Sequence, residues 1–156
     1  MMDPLGHMAK APGSVASGSP TAVVWAATAG TARWILAELN IAGVAAVRAT
    51  SFRHVDASLR GETRRPCDIA VLDFRAISAA NLATLTTARW MGYRGEIVAI
   101  APPDLVSAAM QAIVRIDAVV APDSGEQLRH AVTRALPPDW RASRSRAALS
   151  GSAGAR

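Results

Sequence analysis

The stretch Cys67-Asp68-Ile69-Ala70-Val71-Leu72-Asp73-Phe74-Arg75 decides the fold of this chain. Its apolar residues Ile69 to Leu72 stand in a row between two acidic residues. A short apolar run of this kind is typical of a strand that is buried on both faces, as in a parallel sheet. Asp73 would then follow at the carboxyl end of the strand, which is the edge where ligands collect in open α/β sheets. The stretch therefore predicts a parallel sheet and a candidate functional residue.

Similar apolar runs recur on both sides of this strand, and each is followed by a segment with helical spacing of its apolar residues. The predicted strands are Thr21 to Ala27, Gly43 to Thr50, Asp68 to Asp73, Glu96 to Ala101 and Ala118 to Ala121. The predicted helices begin near Ala32, Ser51, Ser78, Asp104 and Ser124, and the fourth places Val106, Met110 and Ile113 on one face. Strand–helix alternation predicts right-handed βαβ units, a parallel sheet and a three-layer α/β sandwich.

The chain has 156 residues and a formal net charge of +5, a length that suits one ordinary domain. We expect a flexible N-terminal segment (1–20), one domain (21–137) and a disordered basic tail (138–156). Beyond Leu136 four arginines stand against one acidic residue, Asp139, so the tail carries +3 of the net charge. Because the domain itself is nearly balanced, we do not expect it to bind nucleic acid.

Neither a membrane span nor a secretory signal is evident, since no apolar stretch approaches the roughly 20 residues that a bilayer requires. The lone Cys67 cannot form an internal disulfide, which fits a reducing cytoplasm. The histidines lack acidic or cysteine partners at ligand spacing, so no metal site is expected. The sequence thus predicts a cytoplasmic protein without a membrane partner.

The tryptophans fall into two groups. Trp25, Trp34 and Trp90 are expected to pack in or just beneath the core, and Trp140 to dock on the domain or a partner.

From about Thr21 to Leu136 the chain resembles the receiver domain of two-component response regulators. The string from Cys67 to Asp73 resembles the third strand of that family, which usually reads Pro-Asp-hydrophobics-Asp, and Ala121-Pro122 matches the Lys-Pro that ends its fifth strand. The resemblance implies a flavodoxin-like sheet of order 2-1-3-4-5, with Asp73 at the phosphoacceptor position. It also implies a histidine kinase, phosphotransferase or downstream regulator as partner. The contact face would be Asp104 to Leu136, through which a homodimer could also form.

Alanines stand where this family keeps its other functional residues. They match the acidic pair that holds magnesium, the hydroxyl residue that ends the fourth strand, the lysine and the switch aromatic: Ala26 and Ala27, Ala101, Ala121, and Ala118. Aspartyl phosphorylation needs a divalent metal and a lysine to neutralise the phosphoryl oxygens, and magnesium usually needs one or two carboxylates. We therefore predict a degenerate, non-enzymatic receiver without a cofactor, in which Asp73 is a vestigial phosphoacceptor and magnesium enters only if Asp73 is phosphorylated.

Arg75 follows Asp73 by two residues, so its guanidinium can pair with the carboxylate where a metal ion would sit. The predicted function is phosphorylation-independent protein–protein interaction in two-component signalling. One alternative is a phosphorelay receiver that is phosphorylated on Asp73. Another is a flavodoxin-like protein that binds FMN or a nucleotide at the turn Thr28-Ala29-Gly30-Thr31, because a helix N-terminus attracts phosphate.

Overall fold

A computed structural model describes residues 18–62 and 64–139. The predictions for the N-terminal segment, for most of the tail and for Trp140 fall largely or wholly outside these residues. The strands are β1 (Thr21–Trp25), β2 (Ala45–Arg48), β3 (Ile69–Asp73), β4 (Glu96–Ile100) and β5 (Ala118–Val120). The helices are α1 (Ala29–Ile41), α2 (Phe52–Arg60), α3 (Ala79–Trp90), α4 (Ala108–Val114) and α5 (Gly125–Ala135). No helix within the described residues is long and apolar enough to cross a membrane.

The five strands form one parallel sheet in the order β2-β1-β3-β4-β5, which confirms the flavodoxin-like three-layer prediction. Alternate residues of β3 point to opposite faces: Ala70 and Leu72 pack with α2, α3 and α4, whereas Ile69 and Val71 pack with α1 and α5. Because β3 is central and covered on both faces, all five of its residues are buried. The apolar run of the sequence is therefore the middle of the core.

Every helix begins at a serine or threonine whose side-chain oxygen accepts a hydrogen bond from the backbone N–H three residues later. These N-caps are Thr28, Ser51, Ser78, Ser107 and Ser124. Such caps satisfy amide groups that the first helical turn leaves without partners. Ser124 and Gln127 have the spacing of a capping box, but the Gln127 side chain accepts the Ala121 N–H rather than the Ser124 N–H.

Helix α4 differs most from its prediction. It begins at Ala108 rather than at Asp104, because the Ser107 hydroxyl caps the Met110 N–H at 3.1 Å. The expected apolar face is also wrong, since Ile113 is 62% exposed and the buried helical residue is Val114. Pro102 and Pro103 stand just before Asp104, and residues 103–105 form a turn, so the spacing of apolar residues there does not indicate a helix.

Trp90 does not pack in the core as predicted. It ends α3 with 88% of its surface exposed, whereas the preceding Arg89 turns inward. Trp25 is partly buried and meets the ring of Phe52 edge to face, with 5.7 Å between the ring centroids. Trp34 is also partly buried, against the core that β1 and β3 share with α1.

Candidate functional site

Strand register brings the matched positions together at the carboxyl edge of the sheet. Asp73 pairs with Ile100, the last residue of β4, so Ala101 follows directly after that pair. Trp25, the last residue of β1, pairs with Leu72, so Ala26 follows β1 at the level of Asp73. Val120 pairs with Ile100, so Ala121 follows at the same edge. Alanines therefore follow β1, β4 and β5 at the edge where Asp73 ends β3.

The Asp73 carboxylate is 2% exposed and is held by Arg75 through both of its oxygens. The Arg75 Nε donates to Oδ1 at 2.9 Å, and Nη2 donates to Oδ2 at 3.1 Å. The backbone N–H of Arg75 donates a further hydrogen bond to Oδ1 at 3.2 Å. A single 3₁₀ turn, Phe74–Ala76, returns the arginine over the strand end and makes this geometry available. A bidentate, charge-assisted pair is among the stronger polar contacts in proteins.

The guanidinium of Arg75 takes its charge environment mainly from this carboxylate. Hydrogen bonding to Asp73 raises the pKa of Arg75, and the charge of Asp123 adds to the effect. Nη2 also lies 3.5 Å from the Thr31 hydroxyl at the start of α1. The Arg75 side chain remains 41% exposed, so water screens the pair and limits its contribution to stability. The charge of Asp73 is thus neutralised by Arg75, although the arginine itself remains exposed to solvent.

The residues at this edge do not fit a magnesium ion. Within the described residues Asp73 is the only carboxylate at the strand ends, and both of its oxygens already accept hydrogen bonds from Arg75. The charge of Asp123, in the loop after β5, also acts on Arg75. Magnesium requires near-octahedral oxygen ligands, commonly one or two carboxylates, and alanine methyls supply none. Within the described residues no group of three or more histidine, cysteine or acidic side chains could hold a metal.

The turn from Thr28 to Thr31 forms a helix cap. The Thr28 hydroxyl accepts the Thr31 N–H at 3.2 Å and donates to the Thr31 hydroxyl at 3.0 Å. An added Cβ on Gly30 would meet nothing within 4 Å, so space does not require a glycine here. These contacts satisfy one of the amides that a phosphate would need, and they lend no support to an FMN or nucleotide site.

Sequence reasoning did not foresee the role of Asp123. This residue adopts a left-handed backbone conformation (φ 70°) and lines a cavity of about 160 Å³ with Arg75, Thr31 and Trp34. Its charge acts on Arg75 from the loop after β5. The Pro-Asp-Ser string signals only a turn, because nothing local reveals which strand end that turn approaches.

No family model matches the sequence, and no curated protein is similar to it. Solved structures are similar in fold. A CheY-like receiver domain from Methylobacillus flagellatus shares 15% identity at a TM-score of 0.61, over 76% of this chain and 100% of its own length. Vibrio cholerae chemotaxis protein CheY4 shares 14% identity at a TM-score of 0.62, over 76% of this chain and 100% of its own length.

A protein assigned to pilus assembly, from Burkholderia thailandensis, is similar to the same degree. It shares 17% identity at a TM-score of 0.59, over 74% of this chain and 97% of its own length. At such low identity these likenesses establish architecture and leave activity open. The chain has the fold of the response-regulator receiver domain.

Proposed function

We propose that this chain is a signalling module of the two-component type that binds a partner protein without being phosphorylated. The receiver fold supports the signalling role. The closed ion pair between Asp73 and Arg75 is the observation that carries independence from phosphate. The module is not an enzyme, it needs no cofactor, and it works in the cytoplasm.

The chemistry of phosphoryl transfer explains why that pair matters. An acceptor carboxylate must attack with a free oxygen while a metal ion and a lysine neutralise the transferred oxygens. Here both oxygens of Asp73 accept hydrogen bonds from one guanidinium, and Ala121 stands where the family resemblance expects the lysine. The arginine supplies the positive charge that a metal would bring, so the loop after β3 is held without phosphate.

The partner in this proposal is a histidine kinase, a phosphotransferase or a downstream regulator. The contact face is the surface from Asp104 to Leu136, formed by α4, β5 and α5, which can also support a homodimer. Exposed apolar side chains favour this face, since Leu105 is 46% and Ile113 is 62% exposed. Exposed apolar side chains are common on protein-binding surfaces.

A titration of the ¹⁵N-labelled protein with Mg²⁺, with and without beryllofluoride, tests this proposal. We expect no saturable amide shifts around Asp73, and no difference between the wild type and Asp73→Asn. Arg75→Ala should stay silent too, because the alanines still provide no metal ligands; Arg33→Ala, on exposed α1 surface, is the matched control.

Shifts that centre on Asp73 and vanish in Asp73→Asn would overturn the proposal. They would establish the alternative, a phosphorelay receiver that is phosphorylated on Asp73. The FMN or nucleotide alternative is tested separately by flavin absorbance of the purified protein and by melting temperature with FMN or ATP.

A further inference from the structure

A groove lies between the edge strand β2 and helix α2, at the opposite side of the sheet from the Asp104–Leu136 face. We call it the β2 groove. Its volume is about 420 Å³, and its defining residues are an aliphatic floor and a basic rim: Val23, Ala45 and Val47, then His54, Arg64 and Arg65.

The floor of the β2 groove is apolar surface that a three-layer fold would normally cover. Val47 pairs in register with Val23, so the two side chains share one face of the sheet. Val23 is 1% exposed, yet Val47 is 57% exposed. The difference arises because α2 packs mainly against β1 and α3 and directs Val55 and Leu59 into that core. Helix α2 therefore leaves β2 bare.

Strand β2 also has a free edge. It pairs with β1 alone, so the backbone groups on its outer side have no partner within the sheet. Such an edge can accept an extended chain as an additional strand, with main-chain hydrogen bonds giving affinity and alternate side chains giving specificity.

Positive charge is concentrated around this edge. Residues 48–65 contain five arginines and two acidic residues, a net +3, whereas residues 18–139 as a whole carry only +1. Arg60 pairs with Asp56, and Arg65 pairs with Asp68. Within the described residues no ion pair occupies Arg48, Arg53 or Arg64. Charge of this kind favours an acidic partner.

We propose that the β2 groove binds an extended segment of a partner protein in which acidic and aliphatic residues alternate. A strand presents alternate side chains to opposite faces, so such a segment places its aliphatic residues on the Val47 floor and its acids on the opposite face, where Arg48 lies. This proposal rests on the protein-binding role proposed above and gives it a surface and a partner chemistry.

Other occupants fit the groove less well. The arginine-rich segment beyond Asp139 carries the wrong charge. Edge-to-edge pairing with a second copy would bring together two edges whose flanking residues 48–65 each carry a net +3, and like charges repel. Nucleic acid would gain from the arginines but nothing from an aliphatic floor, since its bases need stacking or hydrogen-bonding groups.

Fluorescence anisotropy with a labelled peptide of alternating glutamate and valine tests the proposal. We expect saturable binding in the anisotropy titration. In NMR spectra of the ¹⁵N-labelled protein, the amide shifts should be confined to residues 45–48 and 54–65. Val47→Glu should weaken binding by roughly tenfold or more, because it removes an apolar contact from the groove floor and adds a charge that repels the peptide's acids. Arg48→Glu, on the face that the acids would meet, should weaken it as well. Met91→Glu and Arg33→Glu are matched controls on exposed surface elsewhere, and they should bind like the wild type.

Absence of binding overturns the proposal. Equal affinity for a lysine–valine peptide or for duplex DNA overturns it too, as does self-association that Val47→Glu abolishes. The magnesium titration separates this failure from that of the proposed function. If the amides around Asp73 do not shift with magnesium and the peptide does not bind, only the β2 groove proposal is overturned.

Discussion

Two arginines show how differently the same side chain can be used. One lies at the carboxyl ends of the strands (the carboxyl edge), and the other lies at their amino ends (the amino edge). At the carboxyl edge, Arg75 is 41% exposed and serves one buried carboxylate two residues away. At the amino edge, Arg89 is 7% exposed and donates to four backbone carbonyls and to Asp117. The first arginine closes a local site, whereas the second joins distant parts of the chain.

The partners of Arg89 show what it holds together. Nε donates to Val114 O at 3.0 Å and Nη2 to Arg115 O at 2.7 Å, where α4 ends. Nη1 donates to Tyr93 O at 3.1 Å and Gly95 O at 2.7 Å, in the loop that leads into β4. Carbonyls at helix ends lack intrahelical partners, so this guanidinium satisfies groups that would otherwise be orphaned. The comparison predicts that the amino edge governs stability and the carboxyl edge governs function.

Replacing Arg89 should produce the largest loss of stability. Arg89→Met retains the apolar stem but leaves the carbonyls at two loop ends without donors. Each buried unsatisfied group costs about 1–3 kcal/mol. We expect a loss of about 3 kcal/mol or more in the free energy of unfolding, measured by urea denaturation. The matched control, Arg94→Met on exposed surface, should change stability by less than about 0.5 kcal/mol. Equal effects of the two variants would contradict the structural role of Arg89.

High pH offers a second way to break the amino edge. Burial, followed by the charge of Cys67, raises the pKa of Tyr93, and burial raises the pKa of the Cys67 thiol. The Tyr93 hydroxyl donates to Cys67 O at 2.9 Å, and Arg89 lies over its ring at 5.4 Å. Because both groups ionise more readily when unfolded, their contribution to stability is complete below the unfolded pKa of each, about 8.5 for cysteine and 10 for tyrosine.

As pH rises above these values, the unfolded state releases protons that the folded state retains. Stability should then fall by up to about 1.4 kcal/mol per pH unit for each group until its folded pKa is reached. Urea denaturation between about pH 8 and 11 measures the slope. Tyr93→Phe should reduce the slope above pH 10, after allowance for its lower stability at pH 7. An unchanged slope would show that Tyr93 ionises equally in both states.

Breaking the carboxyl edge should have a smaller effect on stability. Arg75→Ala leaves the buried Asp73 carboxylate with only a backbone donor, but water can replace the half-exposed guanidinium. We expect a loss of about 1 kcal/mol. A double-mutant cycle with Asp73→Asn should give a coupling energy of similar size. The exposed Asp56–Arg60 pair on α2 is the comparison, with an expected coupling of about 0.3–0.5 kcal/mol. A coupling for Asp73–Arg75 no larger than that would show that the pair does not hold the loop.

The sequence reveals local features of this molecule far better than distant ones. Strand β3 lies within one residue of its predicted start, because an apolar run bounded by acids leaves little freedom. The proximity of Arg75 to Asp73 was predictable for the same reason. The Arg89 contacts were not, because their acceptors lie up to 28 residues away and the sequence around Arg89 does not identify them. The bare face of β2 was equally hidden, since it depends on where α2 settles in three dimensions.

The smallest expected effect concerns Glu96, beside the Arg89 cluster. Burial and the neighbouring Asp117 raise the pKa of Glu96. Its contribution to stability is therefore present below its unfolded pKa of about 4.3 and is lost as pH rises through the folded value. The Asp117 side chain is held in place, because its Oδ2 accepts hydrogen bonds from Ile97 N at 2.8 Å and from Arg89 at 3.0 Å.

Glu96→Gln removes the repulsion between Glu96 and Asp117 at neutral pH. Because Glu96 is only partly buried, we expect a gain of about 0.5 kcal/mol in the free energy of unfolding. The gain should disappear below about pH 4, where wild-type Glu96 is itself neutral. Glu126→Gln, on exposed α5 surface, should show no such gain in parallel urea denaturations at pH 7. A gain that persists at low pH would mean that charge at the amino edge is not its origin, since repulsion between carboxylates requires both to be ionised.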